Sequence, residues 1–324
     1  MPTVAPLDLD GHCIAAAFVG GVPFFALAVG AVHRLDHGHK SETVHDGLLC
    51  AALDAAGARL VTGGEDGKVR AVSRDGTVED LGAVERKWVT SVAAGPQQAV
   101  AWGAGRTAYV RFADGKVKSF DHPRSVEGVA FSPKGMRIGV ARYNGATLHF
   151  PAADGKPVEL EWAGAHTGIT FSPDGAYVVT TMQENALHGW KLVDGKHMRM
   201  TGYPAKVKSL SWSAKGRWLA SSGAPAAIVW PFHGKDGPMG KAPLELGTRG
   251  NMMVTAVACH PLEEIAAIGY DDGMILAARF ADQKEVLLRR PGKGAITSMM
   301  WDEEGRRIAF GSAEGDCGVV DIAG

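Results

Sequence analysis

Apolar and polar residues alternate along much of this chain in short runs that end at turns. Three successions of strand, turn, strand, turn and strand cover residues 126–150, 167–192 and 207–232, and in each the first run closes on a Ser-Pro-Asp-Gly-like turn. Alternation with a period of two residues predicts β-strands, and Asp-Gly or Asn-Gly pairs predict tight hairpin turns. The pattern therefore predicts repeated antiparallel hairpins rather than helices.

The first strand of each succession recurs at a regular distance along the whole chain. Successive anchor positions lie about forty residues apart, which is the length of one four-stranded propeller blade. The anchors are Phe18, Leu53, Ala94, Phe131, Phe171, Trp212, His260 and Trp301. We therefore predict an all-β protein, one β-propeller domain over residues 1–324, with eight four-stranded antiparallel blades and seven as the alternative. The predicted units are 11–47, 48–85, 86–122, 123–163, 164–203, 204–250, 251–292 and 293–324.

The last unit has three predicted strands, whereas residues 4–10 precede the first unit without a partner. A blade has two apolar faces that only neighbouring blades can cover, and an unpaired sheet edge promotes aggregation. We expect residues 4–10 to pair with the C-terminal blade as its missing strand and so to close the ring.

Several turn motifs resemble those of WD-repeat proteins. They are Phe-Ser-Pro-Asp-Gly at 171–175, Phe-Ser-Pro-Lys-Gly at 131–135, His45-Asp46-Gly47 and the segment 60–67. The Trp-Asp pair of that family is not intact, because Lys191 follows Trp190 and Pro231 follows Trp230. The resemblance implies a buried His–Ser/Thr–Asp–Trp network, for which His45 and Asp66 are the nearest match, as a pair that locks one blade.

Charge and cysteine content indicate which partners and which cellular location to expect for this protein. The net charge of −1, from 34 basic and 35 acidic residues, gives no overall attraction to nucleic acid or to a membrane surface. The four cysteines have no paired spacing, and the first ten residues lack the basic segment of a signal peptide, so we expect a cytoplasmic protein. Residues 13–32 are uncharged and long enough for a membrane helix, but Gly20, Gly21 and Pro23 favour a turn between two strands.

No enzyme motif stands out in the sequence. A Gly-x-Ser-x-Gly elbow, an HExxH helix, a P-loop and a CxxC pair are all missing, and Gly103-Ala104-Gly105 lacks the rest of a dinucleotide fingerprint. We therefore predict a protein that is not an enzyme and has no cofactor. An enzyme with its site at the mouth of the propeller channel is the weaker alternative.

Histidines cluster in one segment and suggest another alternative. His33, His37, His39 and His45 lie within thirteen residues, and neutral imidazole is a common zinc ligand. This spacing predicts either a zinc site in a metal-handling accessory protein or an outer turn of solvated histidines.

The loops that enter the inner strands and those that join second to third strands are expected to share one rim. These loops carry Arg, Met and aromatic residues, which are enriched in the cores of protein interfaces. The predicted partner-binding residues are Trp88, Arg106, Arg124, Arg142, Tyr143, His166, Met182, Lys206, Met253, Tyr270 and Lys293. Acidic residues on equivalent loops argue against nucleic acid. We therefore predict a monomeric, non-catalytic scaffold that binds a partner protein or peptide on its rim.

Overall fold

The computed structural model describes residues 2–54 and 56–322, and almost every element in them is a β-strand. The strands are β1 (Thr3–Asp8), β2 (Cys13–Val19), β3 (Val22–Leu27), β4 (Ala31–Leu35), β5 (His39–Thr43), β6 (Leu48–Leu53), β7 (Arg59–Gly64), β8 (Lys68–Ser73), β9 (Val78–Ala83), β10 (Ser91–Ala94), β11 (Val100–Ala104), β12 (Thr107–Arg111), β13 (Val117–Asp121), β14 (Val126–Phe131), β15 (Ile138–His149), β16 (Val158–Phe171), β17 (Tyr177–Met182), β18 (Leu187–Lys191), β19 (His197–Met200), β20 (Leu210–Trp212), β21 (Trp218–Ser221), β22 (Ala227–Pro231), β23 (Leu244–Leu246), β24 (Val254–Cys259), β25 (Ile265–Tyr270), β26 (Ile275–Arg279), β27 (Glu285–Arg289), β28 (Ile296–Trp301), β29 (Arg307–Ser312) and β30 (Asp316–Asp321). One 3-10 turn, Pro96–Gln98, follows β10.

Residue composition follows the position of each strand in its sheet. In the sheet β10–β13, the second strand β11 is Val-Ala-Trp-Gly-Ala and is buried throughout, whereas the outermost strand β13 is Val-Lys-Ser-Phe-Asp and is mostly exposed. A strand covered on both faces has a continuous apolar sequence, because neither face meets water.

Hydrogen bonding joins these strands into seven sheets, of which six have four strands and one, β14–β19, has six. The count agrees with the alternative of seven blades and corrects the expectation of eight separate ones. The predicted units 123–163 and 164–203 share the six-stranded sheet because the long strands β15 and β16 run through them. The first part of β15 pairs with β14, and the part that follows the irregularity at Tyr143–Gly145 pairs with β16. The second half of β16 then pairs with β17. The two predicted units are thus joined into one six-stranded sheet.

The N-terminal strand pairs with the last sheet. β1 runs antiparallel to β30, with Thr3 opposite Asp321 and Asp8 opposite Asp316, in the sheet order β1-β30-β29-β28. This pairing of the two ends of the chain was predicted, and it supplies a fourth strand to the sheet. The closing of a complete ring stays a prediction.

The chain divides into two compact units, of which the first is Met1–Leu27 with Gly202–Gly324. Here apolar faces of neighbouring sheets pack together: Ile268 and Tyr270 pack with Val229 and Leu246. Hydroxyl side chains also bridge neighbouring inner strands. Ser209 Oγ accepts a hydrogen bond from the Val257 amide at 3.0 Å, and Ser298 Oγ accepts one from the Ala16 amide at 2.9 Å.

The second unit is Ala28–Thr201, and its sheets pack in the same way. Trp102 of β11 is 2% exposed, lies among Val61, Val69 and Leu81, and stacks on Tyr109 with ring centroids 5.3 Å apart. Burial of such large rings contributes strongly to stability. The sheet β6–β9 therefore covers an apolar face of the sheet β10–β13, as the repeat predicted.

The uncharged segment 13–32 forms strands rather than a helix. Its first two strands, β2 and β3, are antiparallel, with Val19 opposite Val22 across the Gly20-Gly21 turn. Within the described ranges, the structure contains no helix that is both long and apolar enough to cross a membrane.

Candidate functional site

The rim loops are the turns between second and third strands together with the connections that enter the inner strands. A repeated backbone hydrogen bond joins them: the Val84 amide donates to Gly67 O and the Val126 amide donates to Gly105 O, both at 2.8 Å. Both glycines have positive φ, and a Cβ on Gly67 would lie 2.3 Å from Val84 O. Equivalent bonds in the first unit are Ala205 to Gly223, Val254 to Ala224, Gly292 to Asp272, Ala313 to Ala295 and Leu9 to Gly315. The predicted pairing of these two kinds of loop is therefore present in sheets of both units.

The Trp88 patch, defined as Arg86, Lys87, Trp88, Arg106 and Arg124, is an exposed group of rim residues in the second unit. Trp88 is 57% exposed, and the four basic residues are exposed as well. Lys87 lies over the 105–106 turn, because a Cβ on Gly105 would be 3.3 Å from its Cδ. The His122 amide donates to Arg106 O at 2.8 Å, which brings the connection that carries Arg124 to the same turn.

Among the described residues, no carboxylate forms an ion pair with the basic side chains of the Trp88 patch. Across the part of the chain that the structure describes, none of its four basic side chains lies within 4.0 Å of a carboxylate. Glu85 precedes the patch in sequence and is exposed. The patch thus presents one large apolar ring among four positive charges and one nearby negative charge.

The structure corrects the assignment of Arg142 as a partner-binding residue. Arg142 is 9% exposed; it donates to Thr147 Oγ1 and to Tyr143 O, each at 3.0 Å, and it pairs with Glu159. Burial raises the pKa of Glu159, but hydrogen bonds from Thr147 and Arg142 outweigh this and lower it overall. Arg142 therefore holds its own sheet together, whereas its neighbour Tyr143 is 49% exposed and remains available.

His166, Met182 and Tyr270 are corrected for the same reason, since they are 0%, 2% and 0% exposed. His166 is hydrogen-bonded through Nδ1 to Thr180 Oγ1 at 2.7 Å and through Nε2 to Trp162 O at 3.0 Å. The Tyr270 hydroxyl donates to the carbonyl of Gly247. These side chains face the packed interior and cannot contact a partner.

A pocket of about 380 Å³ opens among the rim loops of the first unit and includes two predicted residues, Lys206 and Met253. Its floor is buried, with Val254 at 1% and Ile296 at 0% exposure. The third predicted residue of this unit, Lys293, is exposed but donates to Asp8 Oδ2 at 2.9 Å, and this bond raises its pKa.

The expected His45–Asp66 pair is confirmed, and it extends to a third residue. His45 is 2% exposed, and its Nδ1 lies 2.9 Å from Asp66 Oδ1 while its Nε2 lies 2.9 Å from Thr62 Oγ1. Arg70 on the third strand, β8, reaches Asp66 at 3.5 Å. Burial lowers the pKa of His45, although the hydrogen bond to Asp66 opposes the shift. This network ties the connection before β6 to strands β7 and β8.

A second network of the same kind, around Tyr203, was not predicted from the sequence. Tyr203 precedes β20, and its hydroxyl lies 2.7 Å from Ser221 Oγ and accepts a hydrogen bond from Trp230 Nε1 at 2.6 Å. All three residues are at most 9% exposed, and burial raises the pKa of Tyr203 to about 12. The signal was Trp230 itself, which keeps its place although no Asp follows it, while tyrosine replaces the expected histidine.

The structure does not assemble the predicted four-histidine zinc site. His33 Nδ1 and His39 Nε2 are 2.8 Å apart and their rings stack, but the His37 side chain is 97% exposed and both nitrogens of His45 are hydrogen-bonded elsewhere. Over residues 2–54 and 56–322, no group of three or more His, Cys, Asp or Glu side chains is arranged to hold a metal ion. His45 is thus a structural residue rather than a metal ligand.

Four-stranded antiparallel repeats whose apolar faces cover one another define this protein as an all-β propeller. The family model described as "WD domain, G-beta repeat" matches residues 32–73 and 196–229, and these matches together with the sheets support the WD-repeat propeller family for this chain. The matched segments contain His45, Thr62, Asp66, Tyr203 and Ser221.

A solved structure shares the fold. The computationally designed Ika8 protein superposes with a TM-score of 0.76 at 20% sequence identity, over 97% of this chain and 98% of that one. At this identity the likeness concerns the fold alone. A comparison with curated proteins finds no match.

Proposed function

We propose that this protein is a non-catalytic interaction scaffold and that its Trp88 patch binds an acidic segment of a partner protein. The WD-repeat propeller fold is generally a protein-interaction scaffold, and this general role is the starting point. The observation that carries the finer proposal is the 57% exposure of Trp88 among four basic side chains that form no ion pair with any described residue.

An exposed tryptophan suits a binding role for energetic reasons. Its ring offers a large apolar area with few rotatable bonds, and tryptophan and arginine are enriched among the residues that dominate binding energy. The repeat architecture does not need this ring, because Val89 beside it supplies the buried contact at 0% exposure. Trp88 is therefore expected to contribute more to partner binding than to the stability of the fold.

The charge of the patch indicates the kind of partner. Arg86, Lys87, Arg106 and Arg124 come from two neighbouring connections and one turn, so their positive charges add in one region. Complementary charge steers association and opposes wrong partners. An acidic peptide segment with an apolar residue for Trp88 matches this surface better than a basic one.

The test is quantitative affinity capture from native lysate with the tagged full chain as bait. Three baits are compared: wild type, Trp88→Ala, and Leu262→Ala, which removes an exposed apolar residue (64% exposed) from a turn between first and second strands. Loss of a dominant contact costs about 2 kcal/mol or more, roughly 30-fold in Kd. We expect a protein retained by wild type and by Leu262→Ala to be depleted at least tenfold with Trp88→Ala. Equal recovery by all three baits would refute the patch as the binding site.

A further inference from the structure

We infer that the pocket of the first unit is a second binding site, which takes a peptide segment carrying an acidic side chain next to an aliphatic one. The site is lined by residues of Met1–Leu27 and Gly202–Gly324 only, so the inference does not depend on the Trp88 patch. It shares with the proposed function the general role of a scaffold and a peptide ligand with acidic and apolar side chains.

The interior of the pocket is apolar and held in shape. Val254 and Ile296 form its buried floor, and Met253 lines its wall. Thr255 Oγ1 donates to Ile296 O at 2.7 Å, which joins the inner strands β24 and β28. A pocket whose walls are bonded to one another does not have to be ordered by its ligand, which lowers the cost of binding.

The mouth of the pocket is basic. Lys206, Lys208 and His12 line it, all three are exposed, and its lining contains no carboxylate. In the described chain, neither lysine has an acidic side chain within 4.0 Å, whereas Lys293 nearby in the same unit is paired with Asp8. The two lysines are therefore available to bind an anionic group at the mouth of the pocket while an apolar group of the same ligand occupies the interior.

The arrangement favours a peptide over a small metabolite. A small-molecule site encloses most of its ligand and places the recognising polar groups inside the cavity. Here the charged groups stand at the exposed edge and the inside is apolar. A side chain inserted from a longer chain, with its acidic neighbour outside, uses both regions at once.

The probe is a fluorescein-labelled octapeptide in which Glu and Leu alternate, and binding to the full chain is measured by fluorescence anisotropy. We expect Lys206→Glu and Lys208→Glu each to weaken binding at least fivefold. The matched control is Lys215→Glu, which changes the net charge equally at an exposed turn between β20 and β21 and should leave binding unchanged. Replacing Leu by Ser in the probe, or Ala295→Leu in the pocket wall, should also weaken binding at least fivefold.

Each outcome decides the inference. No binding by the wild-type protein, equal weakening by Lys208→Glu and Lys215→Glu, or equal affinity for the Ser-containing probe would overturn it. Circular dichroism and thermal unfolding of each variant establish that it is folded before binding is compared. Because the Trp88 patch could also bind this probe, the lysine variants are compared again in a Trp88→Ala background, where the same fivefold losses are expected. Failure of the Trp88 proposal and failure of this inference are then distinguishable.

Discussion

The networks around His45 and Tyr203 perform the same task with different chemistry. In the first, an imidazole before β6 bridges Thr62 on β7 and the carboxylate of Asp66. In the second, a phenol before β20 bridges Ser221 on β21 and the indole of Trp230 on β22. The first therefore contains a titratable ring and a carboxylate, whereas the second is neutral over the whole physiological range.

The difference shows what this part of the propeller requires. Each network links the connection that enters an inner strand to the second strand of the same sheet. Different residue types can form this link, provided that every buried polar atom has a hydrogen-bond partner. A buried polar network stabilises only when every member has a partner. The two networks should consequently fail in different ways when a member is removed.

The largest effect is expected for Trp230→Ala. The substitution removes a ring that is 9% exposed and the Nε1 donor to Tyr203, so the free energy of unfolding should fall by about 3–5 kcal/mol. Trp88→Ala serves as the control and should change stability by less than about 0.5 kcal/mol, because its ring is mostly exposed. Urea unfolding followed by circular dichroism measures both. Similar losses for the two variants would contradict the separation of structural and binding tryptophans.

A smaller loss is expected for Asp66→Ala. This change leaves the buried His45 Nδ1 without its partner, which should cost about 1–3 kcal/mol in unfolding free energy. Asp271→Ala, at an exposed position on an equivalent loop, is the matched control and should be nearly neutral. If Asp66→Ala unfolds at the same urea concentration as Asp271→Ala, the network contributes nothing to stability.

The smallest effect concerns pH, and it separates the two networks. Burial lowers the pKa of His45 from 6.5, so the folded state holds the neutral ring and the unfolded chain binds the proton first. This contribution to stability is complete above pH 6.5 and is lost as pH falls toward the folded-state pKa. Between pH 7 and 5, the free energy of unfolding should therefore fall less in His45→Gln than in wild type. The difference should be a fraction of the about 1.4 kcal/mol per pH unit that one proton can supply.

Tyr203→Phe is the comparison for that experiment. Burial raises the pKa of Tyr203 to about 12, so its removal should lower stability equally at pH 7 and pH 5. Burial also lowers the pKa of His149 to about 4 and that of His188 to about 3, and these rings give both variants the same background. A pH dependence unchanged by His45→Gln would contradict the assignment of a neutral, buried imidazole.

The repeat could be predicted from sequence because its signals are local. Alternation indicates the strands, and Gly20-Gly21 indicates a hairpin in the uncharged segment 13–32. The His45–Asp66 pair was expected from the resemblance to WD-repeat proteins, and the two residues are hydrogen-bonded. The merging of two units into one sheet depends on hydrogen bonds across the ends of β15 and β16, which no local pattern records.

The orientation of individual rim side chains could not be predicted. Arg142 and Tyr143 are adjacent in sequence, yet the first is buried in an ion pair and the second is half exposed, since successive side chains of a strand point to opposite faces. Tyr270 occupies a rim position by spacing but bonds inward to Gly247. Tyr203 was missed because its residue type differs from the one that the family pattern leads one to expect.

Photo-crosslinking at position 88 tests the central functional claim most directly. Benzoylphenylalanine replaces Trp88 in one protein and Leu262 in another, and each is irradiated in native lysate. We predict that one dominant protein is crosslinked from position 88 and that no such product forms from position 262. Excess unlabelled wild-type protein should compete with this crosslinking, whereas excess Arg106→Glu/Arg124→Glu double variant should not. No product at position 88, or the same product from both positions, would contradict the claim that the Trp88 patch is a partner-binding surface.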